Sequence, residues 1–176
     1  MEPQKNGSFF VSCGFFRRGL LLNYISTDTV PYFKDCAAVI DGIGFTLVEL
    51  QVVPQKGSVH ITVVIASKDP TQDIGVSDCS KVHHAVQPLL ISLLIVDEDN
   101  VYMEVCSPGL ERNIRNAAEF AFFVGREIRV WDKTVSDWVP GKIKSSDTNQ
   151  VTLLKEDGSE VSVSYENIAK AKFIHL

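Results

Sequence analysis

Val101-Tyr102-Met103-Glu104-Val105-Cys106-Ser107-Pro108-Gly109-Leu110-Glu111-Arg112 is the stretch on which the reading of this chain turns. Its first six residues are rich in β-branched and aromatic side chains and predict a short strand. Pro108 then holds its own φ at about −65°, and Gly109 supplies the positive φ that the third position of a type II turn requires. The chain therefore leaves the strand through a stiff corner that presents Glu111, Arg112 and Arg115. On this reading Gly109→Ala, by opposing positive φ, misorients what lies on the two sides more than it unfolds either.

Toward the N-terminus the pattern is mixed helix and strand. Tyr32, Phe33, Cys36, Ala37, Val39, Ile40 and Ile43 recur at helical spacing, with Gly42-Ile43-Gly44 as the stop. Phe45–Val52 alternates as a strand, Val53–Gly57 turns, and Val59–Ala66 is a second strand rich in Val, Ile and Thr. Ser77 or Asp78 can cap a helix whose apolar positions include Val82, Val86, Leu89, Leu90, Leu93 and Leu94. Pro88 lies inside it and is expected to kink or divide it. Helix, strand, strand, helix, strand predicts a three-stranded sheet with two helices on one face.

Toward the C-terminus the texture changes. Ala117–Phe123 reads as a short helix. Glu127–Trp131, Trp138–Lys144, Gln150–Leu154, Glu160–Ser164 and Lys170–Ile174 read as short strands, with Asp157-Gly158 as a hairpin signal and Tyr165–Ile168 as one helical turn. Five short strands so close together predict a small barrel, since closure removes exposed edges. The organisation expected is an unstructured or loosely docked extension over 1–28, an α/β domain over 29–112, a linker with a short helix over 113–124, and a barrel over 125–176. The fold class is α+β.

The chain has 176 residues, enough for one moderate domain or two small ones, and net charge −5. Residues 29–115 hold 11 acidic against 6 basic side chains, whereas 116–176 hold 9 against 8. A uniformly basic nucleic-acid binder is excluded, a local basic patch is not. Four scattered cysteines with no Cys-x-x-Cys pair exclude a zinc ribbon and read as reduced thiols in a cytoplasmic protein. No apolar run reaches the roughly 18 residues of a membrane-spanning helix. Phe9–Phe16 is apolar, but Arg17 and Arg18 come after it, where a secretory signal has charge first.

Catalytic and cofactor chemistry finds little footing. His60, His83, His84 and His175 show no metal-binding spacing, and Gly42-Ile43-Gly44 comes after a helix where a dinucleotide fingerprint must come after a strand. Neither a phosphate-binding loop nor a nucleophile elbow is present, and no cofactor is expected. Basic residues do gather. Arg112, Arg115, Arg126 and Arg129 surround the corner; Lys142 and Lys144 share one strand face, as do Lys170 and Lys172. Such rows suit phosphates or an acidic surface, but any single pair reads first as an ordinary solvated face. Trp131, Trp138, Tyr165 and Phe173 read as barrel core rather than as stacking platforms.

Tyr102 to Arg112, then Phe120 to Phe123, then Gly125-Arg126-Glu127-Ile128-Arg129-Val130 resembles the RimP family of ribosome maturation factors, and Asn167-Ile168-Ala169-Lys170-Ala171-Lys172 is similar to that family's last strand. The order of elements fits from about Thr29 to Leu176. The chain departs from the family pattern at Cys106, where serine is usual, and at Asn113-Ile114, where Pro-Leu is common. Ser107, Pro108, Gly109, Leu110, Arg112, Gly125 and Arg126 match the motif, as determinants of the elbow before anything else.

The resemblance implies a first half like a K-homology module and a second like an Sm-like or Src-homology-3-like barrel. It implies a non-enzymatic, cytoplasmic, monomeric factor for assembly of the small (30S) ribosomal subunit. The partners it implies are the immature small subunit, a basic ribosomal protein and rRNA, with no membrane. The expected contact surfaces are the elbow, Ser107 to Leu110 with Arg112, Arg115, Arg126 and Arg129, and the barrel lysines Lys142, Lys144, Lys170 and Lys172. The acidic half is expected to hold the basic protein while the elbow arginines approach rRNA. A stand-alone RNA-binding translation regulator is the alternative, though no Gly-x-x-Gly loop lies between helices; an enzyme is a third.

Overall fold

The computed structural model describes residues 22–69, 71–109 and 112–174. The expected extension falls, over 1–21, outside the described residues, as do Leu110, Glu111 and His175. Helix α1 (Phe33–Gly42) is followed by strands β1 (Phe45–Gln55) and β2 (Ser58–Ser67), helix α2 (Val76–Leu94) and strand β3 (Val101–Cys106). The three strands form one sheet in the order β1-β2-β3, with β1 antiparallel and β3 parallel to β2. Phe33, Cys36 and Ile40 of α1 and Val82, Val86 and Leu90 of α2 are buried against Leu47, Leu50, Ile61, Val63 and Ile65, so both helices cover one face.

Two local features trace to single residues. Gly44, at φ +94°, turns the chain from α1 into β1, the left-handed step that a helix terminator makes. Pro88 does not divide α2, which runs unbroken through it. Both Pro88 and His84 are exposed, so water reaches the carbonyl that the missing N–H would have met.

A 3-10 helix (Ala117–Phe123) leads into β4 (Glu127–Asp132), β5 (Asp137–Ser146), β6 (Gln150–Leu154), β7 (Glu160–Ser164) and β8 (Ile168–Phe173). These form a five-stranded antiparallel sheet in the order β7-β6-β5-β4-β8. All five strands send side chains into one core: Ile128, Val130, Ile143, Val151, Leu153, Val163, Ile168 and Ala171, closed by Phe120, Phe123 and Tyr165. The expected barrel closure is not made. Among the described residues no ladder joins β7 to β8, because the free edge of β8 is already occupied: Ile114 N–H donates to the Ala171 carbonyl at 2.9 Å, and Asn113 bridges Lys172.

The sheets meet through apolar side chains. Val48, Val64 and Ala66 belong to the same core as Ile114, Phe120 and the second sheet. Strand alternation sends Leu47 toward the helices and Val48 the other way, and a bulge between Leu47 and Glu49 keeps Glu49 on the side of Val48 and returns Leu50 to that of Leu47. The run Val63-Val64-Ile65-Ala66 is buried throughout, since helices cover one face of β2 there and the second sheet covers the other. Residues just before α1 also dock here: Leu22 is buried in this core, and Asn116 exchanges hydrogen bonds of 2.9 and 2.8 Å with the Ile25 backbone.

Candidate functional site

The corner after β3 is built as its residues require. Gly109 sits at φ +72° with open space where a Cβ would be, Pro108 is half-buried, and Ser107 is exposed. Beyond the undescribed Leu110 and Glu111, the chain passes along the edge of β8 and into Asn116. There the Asn116 side chain accepts from Ala118 N–H at 3.1 Å, and Glu119 accepts from Asn116 N–H at 3.1 Å, a reciprocal cap on the 3-10 helix.

That cap delivers Glu119 to Arg112. The Arg112 guanidinium donates to Glu49 of β1 and to Glu119 at 3.1 Å, and its side chain is only 9% exposed. Glu119 also accepts from Arg115 N–H at 3.3 Å. Arg115 stands 3.7 Å from Glu49 and is largely solvated. Burial pushes the Glu119 carboxyl above its ordinary value; the Arg112 charge and the two amide donors pull it back only in part, and the nearby Glu49 opposes them. Arg112 Nε has no partner among the described residues. Arg112 borders an open cleft of about 450 Å³ lined by Glu49, Gln51, Thr62, Ser107, Pro108 and Arg115, among others.

Arg126 makes a second bridge between the sheets. It donates to the Gln72 carbonyl at 2.9 Å and lies 3.7 Å from Asp73, both on the connection from β2 to α2. Arg112 and Arg126 are thus turned inward, joining the two sheets, and Arg112 is not presented to a partner as the sequence reading expected. Orientation of the halves does not hang on Gly109 alone: the apolar seam and both arginines fix it.

Arg129 is in neither group. It lies on the outer face of β4, paired across to Lys172 of β8 and Pro140 of β5, with its guanidinium 4.8 Å from the centre of the Trp138 ring. Trp131 and Trp138 share that face, in edge-to-face contact at 5.5 Å, and are outside the core in which they were expected. Tyr165 is in the core, stacked on Phe120 and donating to the Asp147 carbonyl at 2.7 Å, and Phe173 packs against it at the margin. Lys144 is paired with Glu160 at 2.5 Å, whereas Lys142 and Lys170 are exposed without a carboxylate partner among the described residues.

Sequence reasoning missed Glu49, Glu119 and the outward tryptophans. Asn116-x-x-Glu119 was a legible capping signal. Ile128 and Val130 as inward residues imply Arg129 and Trp131 as outward ones, by strand alternation alone. Nothing local announced Glu49, which is 63 residues from Arg112.

Comparison with known proteins joins these observations. Residues 35–111, from α1 to the corner, match the RimP N-terminal domain family. Over those residues the chain is similar to the RimP family. Ribosome maturation factor RimP of Borrelia hermsii is 28% identical over 134 residues, covering 76% of this chain and 87% of its own. Ribosome maturation factor RimP of Borrelia turicatae is 27% identical over 134 residues with the same coverage. The RimP N-terminal domain match ends at Glu111, one residue before Arg112.

Proposed function

We propose that this chain is a ribosome maturation factor that acts on the small (30S) ribosomal subunit in the cytoplasm, by binding and without catalysis. The observation that carries the reading is similarity over 134 residues to two relatives named for ribosome maturation, spanning 87% of each. Its partners are the immature small subunit, a basic ribosomal protein and rRNA, and it works as a monomer away from membranes. The domain division over 29–112, 113–124 and 125–176 is part of the same reading. The first domain is K-homology-like, and the second is an Sm-like or Src-homology-3-like sheet curled round its own core.

Charge supports a division of labour. Residues 29–115 carry the acidic excess, including the exposed turn Asp97-Glu98-Asp99, and suit a basic protein. Arg112, with the apolar seam and Arg126, holds that half against the second sheet, and Arg115 is the solvated cation beside it. The test is sedimentation of the tagged chain in a cell extract. Co-migration with free small subunits and absence from assembled ribosomes is the expected result; absence from both overturns the proposal.

A further inference from the structure

We infer that the outer face of β8-β4-β5 is a binding surface for single-stranded RNA. The ladders define the face without ambiguity. Lys172, Arg129 and Pro140 lie abreast, as do Lys170, Trp131 and Trp138, and Glu127 lies beside Lys142. The alternate residues, Ile128, Val130 and Ala171, are fully buried, so this set points away from the core. It holds four basic side chains against one acidic in a chain whose net charge is −5. Acidity elsewhere makes the concentration here a local feature rather than a consequence of composition.

Charge alone would fit any polyanion; the aromatic pair narrows the choice. Trp131 and Trp138 are half-buried on this otherwise solvated face, and Arg129 is stacked on Trp138. A tryptophan with a guanidinium laid over it offers planar surface to a base, while lysines at either side meet phosphates. Three strands at about 4.8 Å spacing make a strip roughly 10 Å across, the width of one extended nucleic-acid strand. An acidic peptide would use the lysines and leave the tryptophans idle. Assigning this RNA to the ribosome rests on the function proposed above.

The chain contains only two tryptophans, Trp131 and Trp138, so its tryptophan fluorescence reports on this face alone. The full chain is titrated with a single-stranded RNA of about 12 nucleotides and, separately, with polyglutamate. Saturable quenching by RNA, weakened by salt, and no quenching by polyglutamate are expected. Trp138→Ala should weaken RNA binding at least about fivefold. Lys170→Gln with Lys172→Gln, which leaves the aromatic pair and core intact, should lower the salt slope by about 1.4.

Failure of RNA to quench overturns the inference, as does reversal of the RNA quenching by polyglutamate at equal charge concentration, which would make this an acidic-protein surface. If RNA fails to quench but the chain still sediments with free small subunits, only the placement of RNA on this face falls. If RNA quenches but the chain leaves the subunits, the face stands and the ribosomal reading falls.

Discussion

Replacing Arg112 by methionine tests the central electrostatic feature of the fold. The guanidinium is the only cation touching Glu119 among the described residues, and it joins that carboxylate, on the 3-10 helix, to Glu49 on β1. Removing one partner of a buried pair costs about 3–5 kcal/mol. Two amide donors stay on Glu119, and Glu49 keeps Arg115, so the loss should fall near the lower end, about 3 kcal/mol. Methionine preserves most of the volume, which confines the effect to charge.

The dependence on pH is specific. Burial already raises the Glu119 carboxyl, and loss of Arg112 removes its largest opposing influence, so it rises further. A carboxyl whose folded value exceeds its unfolded value holds its proton more tightly when folded. Stability from that group therefore grows as pH falls through the folded value and levels off below about 4.3. The deficit of Arg112→Met should be full near about pH 8 and smaller near about pH 5. Urea unfolding followed by tryptophan emission at both pH values measures it. A loss below about 1 kcal/mol, the worth of an exposed pair, or a deficit equal at both pH values refutes the reasoning.

Other substitutions probe the backbone. A Cβ at Gly141 would stand 2.9 Å from the Leu154 carbonyl oxygen and 3.0 Å from Leu153 Cβ, so Gly141→Ala should force β5 from β6 and cost about 1–3 kcal/mol by denaturant titration. Ile95 ends α2 at φ +53° while 91% exposed, so Ile95→Gly should raise stability by about 0.5–1 kcal/mol; a lower melting temperature would contradict this. Gly109→Ala should cost about 1 kcal/mol through its φ of +72° and leave the X-ray scattering profile of the wild type unchanged, because the seam and the two arginines hold the sheets. A changed profile would show that the corner alone orients them.

The order and kind of the elements were legible along the chain. Apolar spacing set α1 and α2 on one face of a three-stranded sheet, and Pro108-Gly109 set the corner, since helix period, strand alternation and turn φ are properties of a few adjacent residues. The long motif around that corner pointed to the family. Fully buried Val63-Val64-Ile65-Ala66 was also visible as an apolar run, though not which structure covered its second face.

The direction in which the charged and aromatic side chains point was settled by packing between distant segments. Arg112 and Arg126 read as surface cations until Glu49, Gln72 and Asp73 came to them from tens of residues away. The barrel stayed open because Asn113-Ile114 took the edge of β8 that closure required. Trp131 and Trp138 lie outside because alternation fixes which residues share a face, while packing chooses which face is buried. Charge partners and buried faces depend on contacts across the fold, and spacing along the chain carries no record of those.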